Sequence, residues 1–130
     1  MKNDFTMAAV LPGEPAAIYR AWLSSEGHAA MTGSPATVEG RLGGTFTAWD
    51  GYISGKTIEL EPDRRIVQAW RTSEFPEGSP DSRVEIVLEP VNGDTKVTIV
   101  HTHIPAGQAE EYKQGWEEFY FTPMRAYFSK

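Results

Sequence analysis

Toward its end the chain repeats a large apolar side chain at every fourth position: Tyr112, Trp116, Tyr120, Met124 and Phe128. That spacing predicts a long helix over Gln108 to Phe128 with one such group per turn on a single face, a stripe widened by Phe119 and Tyr127. So much apolar surface on one face needs a broad cover, and the concave side of a curled sheet is the element that supplies it. Glu110 and Glu111 in the first turn, with Arg125 and Lys130 near the end, suit the helix dipole. Pro123 removes one helical hydrogen bond and predicts a kink. Gly115 leaves a gap where another element can approach.

The preceding residues read as that sheet. Phe5 to Leu11 forms a first strand, stopped by Pro12-Gly13. Glu14 and Pro15 then open a short helix with Ile18, Ala21 and Trp22 on its apolar face. Ser24 and Ser25 cap a second, carrying Ala29, Ala30 and Met31 and ending at Gly33 and Pro35. From residue 36 to 104 strands and turns take over. Thr45 to Trp49 and Tyr52 to Ile58 flank Asp50-Gly51, a two-residue hairpin signal, and Gly55 suggests a bulge or a close backbone approach. Arg65 to Arg71, the alternating Val84, Ile86 and Leu88, and Val97, Ile99 and His101 after the Asn92-Gly93 turn complete a meander. The expected architecture is α+β: a curved antiparallel sheet of about six to seven strands wrapped around the long C-terminal helix, with two short helices after the first strand. Residues 1–130 are expected to form one domain.

Charge and composition then exclude whole classes of function. A net charge of −6, with Arg64-Arg65 the one adjacent basic pair, offers no phosphate-binding patch, so nucleic acid is not an expected partner. The same balance disfavours anionic membrane surfaces, and no stretch approaches the ~20 apolar residues of a span. Zero cysteines exclude disulfides and thiolate metal sites. With no signal-peptide core in the sequence, a cytoplasmic location is expected.

The order of elements, a long C-terminal helix gripped by an antiparallel sheet, resembles the START-like helix-grip (SRPBCC) superfamily. The segments Asp50-Gly51-Tyr52-Ile53-Ser54-Gly55-Lys56, Arg65-Ile66-Val67-Gln68-Ala69-Trp70-Arg71 and Phe75-Pro76-Glu77-Gly78 narrow the match. So do Ile104-Pro105 and Gln114-Gly115-Trp116, followed by Phe119-Tyr120-Phe121. Together they resemble the homologues of the activator of heat-shock-protein-90 ATPase, its C-terminal domain in particular. The resemblance implies either a cavity between sheet and helix for a small hydrophobic or amphipathic molecule, or a co-chaperone-like module touching a chaperone ATPase. The activator's N-terminal domain has no counterpart among these residues.

Six Phe, five Tyr and four Trp make the first reading concrete. Trp22, Met31, Phe46, Trp70, Trp116, Tyr120 and Met124 are expected to converge between sheet and helix, either around a cavity or as a solid core. His101, Tyr112 and Tyr120 are the polar groups that would orient a ligand. His103 is expected on the same strand face as His101, but no third ligand follows at a diagnostic spacing, so neither a metal nor a cofactor is expected. No nucleophile elbow, phosphate loop or zinc-protease motif is present. Asp50 is first a turn residue, and Glu39 with Arg41 a solvated pair. A small cavity enzyme of cyclase or dehydratase type is the third reading, and an active enzyme is the less favoured outcome. The Phe75 to Pro80 loop is either a lid or a connection with Phe75 tucked against the core. Monomer and homodimer both stay open.

Overall fold

The computed structural model describes residues 4–129; Lys130, expected to complement the helix dipole, lies outside them. Seven strands form one antiparallel sheet in the order β1-β7-β6-β5-β4-β3-β2. They are β1 Phe5–Leu11, β2 Ala36–Val38, β3 Thr45–Ala48, β4 Ile53–Glu61, β5 Arg65–Thr72, β6 Ser82–Val91 and β7 Asp94–Thr102. Helices α1 (Pro15–Trp22) and α2 (Ser25–Thr32) follow β1, and a helix of 20 residues closes the chain. The α+β helix-grip reading holds, curved sheet included.

Local chemistry explains the short helices. Pro15 occupies the first turn of α1, with Ile18 and Trp22 buried one turn apart. The Ser24 hydroxyl accepts the Gly27 N–H at 2.8 Å, and Gly33 ends α2 in the left-handed conformation. The inward face of α2 is His28, Met31 and Thr32, whereas Ala30 points to solvent.

Alternation sets the sheet register. Val84, Ile86 and Leu88 on β6 and Val97, Ile99 and His101 on β7 are all buried, and Ile86 pairs directly with Ile99. β2 is a strand that the sequence pattern did not mark. Its three residues pair with β3 and are too few to show a period. Gly55 is a close approach rather than a bulge: a Cβ there would lie 1.9 Å from the Ala69 carbonyl oxygen and 2.7 Å from Phe46. The irregularity of β4 falls later, between Thr57 and Glu59.

Two local departures shape the site. Pairing of β3 with β4 begins at Ala48 and Ile53, so four residues, Trp49 to Tyr52, connect them instead of two. Trp49, Asp50 and Gly51 all have positive φ, and the opened turn lets the Trp49 ring meet Phe119 edge-on at 5.1 Å. In the C-terminal helix, α3 (Ala109–Trp116) and α4 (Thr122–Phe128) are joined without a break by a π-turn at Glu117–Phe121. There the Thr122 N–H reaches back five residues to the Glu117 carbonyl, which accommodates Pro123. The wider turn shifts the apolar rhythm by one position. Tyr120 and Phe121 both become buried, and Phe119, expected to widen the inward stripe, is 49% exposed.

The Phe75 loop is pinned. Phe75 is in the core, the Arg71 guanidinium lies 5.3 Å from its ring centroid, and the same guanidinium donates to the Ser79 carbonyl and to Asp81. That is a tucked connection, not a lid.

Candidate functional site

Where the C-terminal helix passes the β3–β4 turn, side chains leave a cleft of about 370 Å³. The turn and the start of β4 contribute Trp49, Tyr52 and Ile53, and β5 contributes Trp70. The helix contributes Glu111, Tyr112, Gly115, Trp116, Phe119 and Tyr120. Gly115 matters by what it lacks: a Cβ there would touch Phe119 at 3.7 Å and otherwise stand in open space.

The floor is held by a chain of hydrogen bonds in which each donor points one way. The Trp116 indole N–H donates to Nδ1 of His101 at 3.1 Å. His101 Nε2 lies 2.9 Å from Ser82 Oγ, and the Ser82 hydroxyl proton goes to the Trp70 carbonyl at 2.6 Å. The imidazole must therefore carry its proton on Nε2 and be neutral. Burial pushes the His101 pKa down to about 3. Trp70 and Trp116, 5.6 Å apart at their centroids, are thus fixed in orientation by a fully buried histidine behind them.

A second buried histidine supports the far end. His28 Nδ1–H donates to the Trp22 carbonyl at 3.0 Å, and the Tyr120 hydroxyl donates to His28 Nε2 at 2.8 Å. Trp22 stacks on Tyr120 at 5.1 Å and on Trp116 at 6.2 Å. Burial lowers the His28 pKa, partly offset by the Trp22 carbonyl, and burial raises that of Tyr120. Both groups stay uncharged near neutral pH.

The rim is charged. The Tyr52 hydroxyl donates to Glu74 and lies 3.2 Å from Glu111, so two exposed carboxylates meet at one phenol. A hydrogen bond shared with Glu74 raises the Glu111 pKa, and the Tyr52 hydroxyl lowers that of Glu74. Thr72 hydrogen-bonds the Tyr112 hydroxyl at 2.7 Å, and Tyr112 donates onward to Gln108.

Residues 13–129 match the family model of the activator of Hsp90 ATPase homolog 1-like proteins. Over 114 residues, 88% of this chain, the sequence is 34% identical to the human activator of 90 kDa heat shock protein ATPase homolog 1. The chain belongs to this activator-homologue family. The aligned stretch is 33% of the human relative's length, so the chain spans about a third of that protein. Family kinship is matched by shape. A crystal structure of an HSP90 activator from Plasmodium falciparum superposes with a TM-score of 0.86 at 24% identity, covering 95% of this chain and 94% of that one. The solution structure of the Aha1 dimer from Colwellia psychrerythraea gives 0.79 at 19% identity, covering 95% of each chain. Both likenesses concern the fold.

In this family member, four of the nine residues picked from sequence line the cleft: Trp70, Tyr112, Trp116 and Tyr120. The other five, Trp22, Met31, Phe46, His101 and Met124, are buried in the core around it. Trp22 and His101 touch lining residues from behind. Phe46 closes on Gly55. Sequence reasoning passed over Trp49, Tyr52, Ile53, Glu111, Gly115 and Phe119 as lining groups. The legible signal was the pair of large rings, Trp49 and Tyr52, on either side of Asp50-Gly51. His103 does not join His101: it lies beyond β7, exposed, with φ +60°, its N–H given to Asp4. Among the described residues no group of three or more His, Asp or Glu is placed to hold a metal ion. None of the described helices is long and apolar enough to cross a membrane.

Proposed function

We propose that this chain is a protein-interaction module that docks on a chaperone ATPase of the Hsp90 type in the cytoplasm and changes its turnover. The observation that supports it is the kinship in sequence, 34% identity over 114 residues, with a human protein named as an activator of that ATPase. The test adds purified protein to an Hsp90-type chaperone and measures ATP hydrolysis. A rate change that saturates with added protein is expected. An unchanged rate at saturating protein removes the reading.

The cleft favours a second reading, a small hydrophobic or amphipathic ligand between sheet and helix. Its 370 Å³ is within the ~300–1,000 Å³ of small-molecule sites. Apolar burial at about 25 cal/mol per Å² would supply affinity. The nine core and lining residues named above would then be its binding surface and support. Native mass spectrometry of freshly purified protein is expected to show a co-purifying mass, and protein that stays bare after exposure to apolar probes counts against it. A cavity enzyme expects paired acids within the wall. Glu74 and Glu111 form a pair, yet only Glu111 lines the cleft, and both are exposed to solvent at its rim rather than buried as such chemistry requires.

A further inference from the structure

The cleft combines two kinds of surface that a purely apolar ligand would not use together. Its body is aromatic, lined by Trp49, Trp70, Trp116 and Phe119. Ring faces are electron-rich and attract cations, tryptophan most strongly. One end carries negative charge: Glu111 lines the cleft, and Glu74 reaches the same Tyr52 hydroxyl. Among the described residues every ion pair within 4 Å is made by Glu39, Glu59, Glu61, Asp81 or Glu85. Glu74 and Glu111 have no such cationic partner.

We infer that the cleft receives a small organic cation, an amine or quaternary ammonium group carried on an apolar body. The inference deepens the ligand reading of this cleft and rests on it. The apolar body would lie among Trp70, Trp116 and Phe119, and the cationic head near Tyr52, between the rings and the two carboxylates. Two neighbouring carboxylates repel each other, and a cation between them relieves that repulsion. A neutral ligand gains nothing from the rim. An anion meets both carboxylates and a chain of net charge −6.

The test is a titration followed by intrinsic tryptophan fluorescence, since Trp49, Trp70 and Trp116 line the cleft. The probes are benzyltrimethylammonium and neopentylbenzene, which have the same shape and differ in charge. The ammonium probe is expected to bind about tenfold tighter than its neutral counterpart. Glu111→Gln, which removes a charge and keeps the size of the side chain, is expected to remove most of that preference by weakening the ammonium probe. Equal binding of the two probes, or tighter binding of neopentylbenzene, overturns the inference while the ligand reading survives. A preference unaltered by Glu111→Gln also overturns it. Binding of neither probe rejects both.

Discussion

Tyr120 and His28, 92 positions apart in sequence, are joined by a hydrogen bond of 2.8 Å in which the phenol donates to Nε2. The histidine can accept because its other nitrogen already donates to the Trp22 carbonyl. One neutral tautomer satisfies both bonds. Helix α2, the end of α1 and the π-turn of the C-terminal helix are thereby tied at one buried point, and the cleft's inner wall depends on it.

Tyr120→Phe tests that tie. The ring keeps its stacking on Trp22, but the buried His28 Nε2 loses its donor. Stability is expected to fall by ~1–3 kcal/mol, the usual cost of orphaning a buried acceptor. A urea midpoint lowered with an unchanged slope is the expected readout. A loss below ~0.5 kcal/mol would show that the bond contributes little.

Acid is expected to destabilise the protein through its buried histidines. Both folded-state pKa values lie below that of an unfolded histidine, about 6.5. The unfolded chain therefore binds more protons as pH falls, so stability is full above pH ~6.5 and declines below it. With His101 pushed down to about 3, the decline continues to about that pH. It amounts to about 2 kcal/mol between pH 7 and pH 5, with His28 adding in the same direction. Denaturation curves across that range measure it. His101→Gln, polar but not titrating, should flatten the dependence; an equally steep profile in that variant assigns the effect elsewhere.

Gly55→Ala is expected to be among the most damaging single-methyl changes. The added carbon would meet the Ala69 carbonyl oxygen at 1.9 Å and the Phe46 ring at 2.7 Å. Strand β5 or the Phe46 ring must move, and a loss of ~3 kcal/mol or more is expected. Thermal melting decides it, and a shift of only a degree or two would mean that the backbone yields easily.

Gly115→Ala should do the reverse. Its new Cβ makes an ordinary contact with Phe119, and alanine is the better helix former by ~1 kcal/mol. A small rise in melting temperature is expected together with weaker binding of any molecule held in the cleft, because the methyl group occupies it. If stability and binding move together instead, the glycine serves the helix rather than the cleft.

Much of this architecture is written in local pattern. Val84, Ile86 and Leu88 alternate because one sheet face is buried, and Tyr112, Trp116 and Tyr120 recur because one helix face is. Those periods give the order of elements and the helix that the sheet grips. The cleft is less legible. Trp49 and Tyr52 flank an Asp-Gly pair that reads as a tight turn, and nothing nearby in sequence says that the turn opens to meet Phe119.

By itself, then, the sequence determined the fold class, the gripping helix and its aromatic face, because apolar periodicity is a property of neighbours along the chain. Tertiary structure alone decided which rings line the cleft and which fill the core. The exchange of Phe119 for Phe121 at the π-turn, the closure of Tyr120 on His28 and the meeting of Glu74 with Glu111 at Tyr52 all depend on distant segments packing together. Pro123 marks where the helix is interrupted, but which rings turn inward there is set by packing against the sheet and α2.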